Sequence, residues 1–126
     1  MKPALFLLPL VTLCFPAPAG AAGDSAKGAA VFRTCGACHT ATEPVNRVGP
    51  SLQGIFGRPV GSVEGYRYSD AMTAFGAGKV WDEALLSQYL LAPRLTVPGT
   101  KMAFAGLKKP GDIADLIAYL VEAGRP

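Results

Sequence analysis

The chain has 126 residues, with 12 basic and 9 acidic side chains and a formal net charge of +3. That length holds one domain at most, and so small a positive excess offers no footing for a nucleic-acid partner. Residues 1–22 have the layout of a secretory leader that export removes: Met1 and Lys2 form a positive head, Ala4 to Phe15 is almost wholly apolar, and Ala19-Gly20-Ala21 supplies the small residues of a cleavage site. The apolar run is interrupted by Pro9 and falls short of the roughly 20 residues a membrane-spanning helix needs. Leu13 stands where a small residue should precede a lipidated cysteine, so Cys14 belongs to the leader. The domain is then residues 23–126, with 11 basic and 9 acidic residues and two cysteines, Cys35 and Cys38. A domain of this size has a thin core and leans on a disulfide, a metal or a cofactor.

In chain order, the first predicted helix begins at the N-cap Asp24 and runs through Val31 and Phe32 into Cys35. Residues 40–65 contain Pro44, Pro50 and Pro59 with Gly49, Gly54, Gly57 and Gly61, and read as loop. Tyr68 to Phe75 has room for one or two helical turns. A further helix starts at Asp82, presents Leu85, Leu86, Tyr89 and Leu90 on one face, and ends at Pro93. The last opens near Gly111-Asp112, sets Ile113, Leu116, Ile117 and Leu120 in one stripe, and closes at Gly124. No stretch alternates at period two, so the fold class is all-α. Loops this long in a compact domain imply that something beyond the helices is there to be wrapped.

Cys35-Gly36-Ala37-Cys38-His39 carries the chemistry. A dithiol oxidoreductase would place Cys-x-x-Cys in a β-α-β setting, which is missing. Structural zinc needs four ligands, and there is no second Cys/His cluster. Covalent haem attachment fits: two thiols at this spacing reach both vinyl groups of one porphyrin, and the adjacent histidine can bind the iron. His39 is the only histidine, so a second imidazole ligand is unavailable within the chain. A thioether is the natural partner for an electron carrier. Met72 sits at helical spacing and reads as an ordinary packed methionine. Met102 follows the proline-stiffened Val97-Pro98-Gly99-Thr100-Lys101 and is the favoured ligand.

Four motifs occur in order: Cys35 to His39; Gly49-Pro50-Ser51-Leu52 with Gly54-Ile55-Phe56-Gly57-Arg58; Val97 to Met102 with Phe104-Ala105-Gly106; and Asp115-Leu116-Ile117-Ala118-Tyr119-Leu120. Over nearly all of residues 23–126 the chain resembles class I cytochrome c, as found in mitochondria and in soluble periplasmic bacterial proteins. The resemblance implies crossed N- and C-terminal helices, with Gly28 and Phe32 meeting Leu116 and Tyr119. It also implies shorter helices and long loops around one haem c held through Cys35 and Cys38, with His39 and Met102 on the iron. It places the Pro50 carbonyl on the His39 ring N–H, and Arg58, Tyr68 and Trp81 on the haem propionates. Tyr89 and Thr100 then lie beside the iron–sulfur bond and Phe104 beside the exposed haem edge. Gln53 departs from the histidine common in the mitochondrial proteins.

The implied role is that of a monomeric, diffusible one-electron carrier of the periplasm rather than an enzyme. Its donor would be a quinol–cytochrome c reductase and its acceptor a terminal oxidase or a photosynthetic reaction centre, met through transient docking aided by a basic rim of Lys101, Lys108 and Lys109 with Lys27 and Arg33. Two alternatives are a cytochrome dedicated to one dehydrogenase, and a haem peroxidase or peroxide sensor with a displaceable Met102. The second alternative lacks a distal histidine for acid–base work.

Overall fold

The computed structural model describes residues 23–125; the leader expected at residues 1–22 lies outside the described residues. Among the described residues five helices follow in order: α1 Ser25–Cys35, α2 Asp70–Gly76, α3 Glu83–Leu91, α4 Pro93–Thr96 and α5 Pro110–Ala123. Among the described residues the only strand-like feature is an isolated antiparallel bridge between Pro59 and Val80. No described helix is long and apolar enough to cross a membrane.

Each early helix starts on a side-chain cap. The Asp24 carboxylate accepts from the Lys27 N–H, the Ser69 hydroxyl from the Met72 N–H, and the Asp82 carboxylate from the Leu85 N–H. These bonds satisfy donors that the first turn of a helix would otherwise leave unpaired. Pro93 ends α3 as expected, and also opens α4, a single turn that the sequence reading did not anticipate. A proline at the first helical position surrenders only an N–H that would have no partner there. The same reason starts α5 at Pro110, slightly ahead of Gly111-Asp112.

The core is built where α5 lies across α1 and α3. Ile113, Leu116, Ile117 and Leu120 of α5 are buried, as are Leu86, Tyr89 and Leu90 of α3, while Leu85, also expected on that face, is half-buried against the core. Phe32 of α1 meets Tyr119 of α5 with ring centroids 5.2 Å apart. The crossing itself depends on Gly28, because a Cβ there would overlap the Asp115 carbonyl and come within 2.7 Å of the Tyr119 Cβ. The Asp24 N–H donates to Asp115 Oδ1 at 2.7 Å and ties the entrance of α1 to the same turn of α5.

The long loop is ordered by backbone bonds. Leu52 N–H reaches Thr40 O at 2.8 Å, Gly57 N–H reaches Trp81 O at 2.8 Å, and Val60 N–H reaches Lys79 O at 2.9 Å. Asn46 links both sides of it, donating to Glu64 O and accepting from the Ser51 N–H. Gly54, Gly57 and Gly61 take φ of 63°, 78° and 73°, turns that a side chain would strain. Basic side chains finish three helices: Arg47 donates to Gly36 O beyond α1, Lys79 to Phe75 O of α2, and Lys108 to Leu91 O of α3. A cation there meets both the unpaired carbonyls and the negative end of the helix dipole.

Gly28→Ala is expected to lower the unfolding free energy by about 1–3 kcal/mol, since the backbone it meets must shift. Gly111→Ala, at a helical position with nothing within 4 Å of the added Cβ, should instead be neutral or stabilise by up to about 1 kcal/mol. Chemical denaturation of the two variants checks both signs.

Candidate functional site

Cys35 is the last residue of α1, so the direction of that helix sets where the Cys-x-x-Cys-His turn begins. The turn closes on two backbone bonds to Cys35 O, from the Cys38 N–H at 3.0 Å and the His39 N–H at 2.9 Å. Both thiols are half-buried and unpaired. Burial pushes the Cys35 thiol above its ordinary pKa.

The loop after the turn doubles back beneath the histidine. Gly49 N–H donates to Cys38 O at 2.9 Å, and a Cβ at Gly49 would overlap the His39 ring, lying 2.6 Å from Nδ1. The next residue, Pro50, accepts from His39 Nδ1 at 2.7 Å. A carbonyl can only accept, so Nδ1 carries the proton and Nε2 keeps its lone pair. Burial lowers the His39 pKa, with the Pro50 bond acting in the opposite direction. The imidazole is thus held neutral and aimed by its neighbour, the state a metal ligand requires.

The methionine side is built by α3 and the irregular segment that follows α4. Tyr89, buried on α3, has its hydroxyl 2.8 Å from Thr100 Oγ1 and 3.9 Å from Met102 Sδ. Burial is the main cause of the raised Tyr89 pKa, partly offset by the Thr100 bond. Trp81 packs on Tyr89 with centroids 5.4 Å apart. Met102 is half-buried against the core, while Met72 is buried within it on α2. Phe104 is half-buried two residues beyond Met102.

Arg58 is half-buried and spends two donors on main-chain carbonyls, Nη1 on Gln53 O and Nη2 on Ser51 O, both at 3.0 Å. Burial lowers its pKa, and nearby Tyr68 acts the other way. Tyr68 accepts from the Val63 N–H at 3.1 Å. Of the residues singled out from sequence, the fold therefore gathers Tyr89, Thr100, Met102 and Trp81 in one cluster, His39 with Pro50 in another, and Arg58 near Tyr68.

Several contributors were not legible beforehand. Arg47 clasps the attachment turn, with Nη1 2.7 Å from Gly36 O. Tyr66 donates to Val48 O and lies edge-on to Tyr68. Lys101, expected on a basic rim, turns its ammonium to Arg67 O and sits 5.6 Å from the Tyr66 ring centroid. Contacts such as these join loops distant in sequence, and no local pattern announces them.

The donor set suits a covalently attached haem. Two unpaired thiols share one turn with a neutral imidazole whose Nε2 lone pair is unspent, and a soft thioether stands on a separate segment. A helical domain whose loops converge on such a set has the form of a c-type haem protein.

The comparisons agree. The family model for cytochrome c matches residues 25–124. Cytochrome c2 of Agrobacterium tumefaciens is 50% identical over 101 residues, covering 79% of this chain and 91% of that protein. Cytochrome c-550 of Ancylobacter novellus is 53% identical over 97 residues, covering 75% and 91%. Among solved structures, cytochrome cH from Methylobacterium extorquens superposes with a TM-score of 0.73 at 44% identity, covering 79% of this chain and 99% of that one.

The chain belongs to the cytochrome c family. It is a small haem electron carrier rather than an enzyme, with one covalently attached haem c and with Cys35 and Cys38 at the family's Cys-x-x-Cys-His spacing.

Gly49→Ala is expected to destabilise the haem-loaded protein by about 1–3 kcal/mol, because the added methyl must displace either the ring or the loop. Denaturant titration measures this. A redox titration of the same variant should show a shifted potential as the His39–Pro50 bond is disturbed. A variant matching the parent in both would mean that the loop is not held against the ring.

Proposed function

We propose that His39 and Met102 would hold the haem iron and that the protein shuttles single electrons in the periplasm. In this reading a quinol–cytochrome c reductase is the donor and a terminal oxidase or photosynthetic reaction centre the acceptor. The observation that carries the ligand assignment is the His39 Nδ1–Pro50 carbonyl bond of 2.7 Å, which leaves Nε2 as the one free donor atom of the ring. The Tyr89–Thr100 pair beside Met102 Sδ supports the thioether as the second ligand.

Bound haem would supply a one-electron couple, with the His39 imidazole and the Met102 thioether as the ligands this chain offers it. The chain's residues do the remaining work. Pro50 holds the Nδ1 proton in place, so the imidazole neither rotates nor changes tautomer between oxidation states. Tyr89 and Thr100 keep the thioether in a fixed polar setting. Arg58 has five N–H donors and uses two of its guanidinium nitrogens on carbonyls, which leaves donors for a propionate. Tyr68 and Trp81 are proposed as its companions there, and Phe104 as the apolar neighbour of the haem edge. Residues 1–22 are proposed as the leader that takes the chain across the inner membrane.

Met102→Ala should retain haem through Cys35 and Cys38 under denaturing conditions. Its potential should fall by more than about 59 mV, a tenfold change in the equilibrium of a one-electron couple. An unchanged potential by redox titration would mean another group holds the iron. With only +2 on residues 23–126, the rate of electron exchange with the membrane reductase should decline gently as ionic strength rises through about 0.1 M, where screening acts over about 10 Å. Stopped-flow rates at two or more salt concentrations test this. A rate that rises with salt would exclude attraction to an acidic docking face.

A further inference from the structure

α3 cannot finish itself. Its C-cap, Ala92, is followed by Pro93, which has no N–H to return to the helix. The exposed carbonyls are instead served by residues beyond α3. Gln88 O accepts from Thr96 Oγ1 at 3.1 Å, Leu90 O from the Leu107 N–H at 2.8 Å, and Leu91 O from Lys108 Nζ at 3.3 Å. The same ammonium donates to Ala105 O at 2.9 Å. Between these bonds, Gly106 (φ 101°) lies flat on the end of α3, where a Cβ would overlap Leu91 O.

Met102 lies on the segment thus fastened. From Lys101 to Lys109 no helix or strand holds the backbone in place. The partner it is fastened to, α3, carries Tyr89, whose hydroxyl stands beside Met102 Sδ. We propose that Lys108 is a positioning residue for the methionine: its ammonium bridges the end of α3 and the Met102 segment, and so sets how often that segment swings away. The geometry separates two adjacent lysines. Both are exposed, but Lys108 is a staple, with its ammonium bonded on each side of the junction, whereas Lys109 is the N-cap of α5 and caps it without a side-chain hydrogen bond.

The proposal rests on Met102 as the iron ligand, and the experiment keeps the two questions apart. In the ferric holoprotein, imidazole is used as a probe at saturating concentration, so that its binding rate reports opening of the methionine segment. Lys108→Met is expected to raise that rate by up to about fivefold, the effect of losing a charge-assisted hydrogen bond at an exposed position. Lys108→Arg should return it towards the parent value. Lys109→Met removes the same charge and should leave it unchanged.

Hydrogen exchange of the Leu107 amide gives a readout that does not depend on ligation, and it should quicken in Lys108→Met alone. Equal rates in Lys108→Met and Lys109→Met, by imidazole and by exchange alike, would overturn the staple. Absence of the thioether-to-iron charge-transfer band from the unsubstituted protein would overturn the Met102 ligation. The Leu107 exchange would still decide the role of Lys108.

Discussion

The crossing of α1 over α5 at Gly28 is the contact on which the site depends. Backbone meets backbone there, because the missing side chain lets the Asp115 carbonyl and the Tyr119 Cβ close in. Cys35 ends α1, so a change in the crossing would turn the thiols and the His39 turn away from the remainder of the site. Phe32 on Tyr119, and the Asp24–Asp115 bond, fix the rotation of α1 about its axis. The attachment point is therefore placed by a packing contact well removed from it in sequence.

Around that frame, the two faces of the site are built differently. On the histidine side a short loop returns within a dozen residues, and its Gly49 and Pro50 touch the ring itself. The methionine side depends on segments drawn from α3, from the turn after α4 and from the strandless run before α5, joined through Tyr89, Thr100 and Lys108. The first is covalently short and stiff. The second is held mostly by side-chain bonds at its margins, which open at smaller free-energy cost than a packed core. Basic side chains serve as fasteners at three helix ends, so the small positive excess of the chain is partly engaged in holding loops to helices.

Regular periodicity made α3 and α5 readable, since Leu86, Leu90, Leu116 and Leu120 repeat at helical spacing and are all buried. The caps Asp24 and Asp82 marked helix starts for an equally local reason. α4 escaped notice because four residues carry no period, and because Pro93 signals an end and a beginning at once. Lys101 and Lys108 looked like rim charges. Their carbonyl partners, Arg67 and Leu91, lie 34 and 17 residues away. Gly49 looked like one loop glycine among several, and only the fold brings it beneath the His39 ring.

What the sequence determined by itself was the chemistry on offer: two thiols and an imidazole at a spacing that suits covalent haem, one candidate thioether in a proline-stiffened turn, and apolar stripes long enough to build helices. Those signals are local, arising from chain stereochemistry within a few residues. The Pro50–His39 pairing and the hydroxyls beside Met102 were implied only by family resemblance, and the tertiary structure alone decided that Nδ1 is the bonded nitrogen, that Gly49 lies against the ring and which cations hold loops to helices. Each of these depends on close contact between segments remote in sequence, and short-range patterns do not encode such distances.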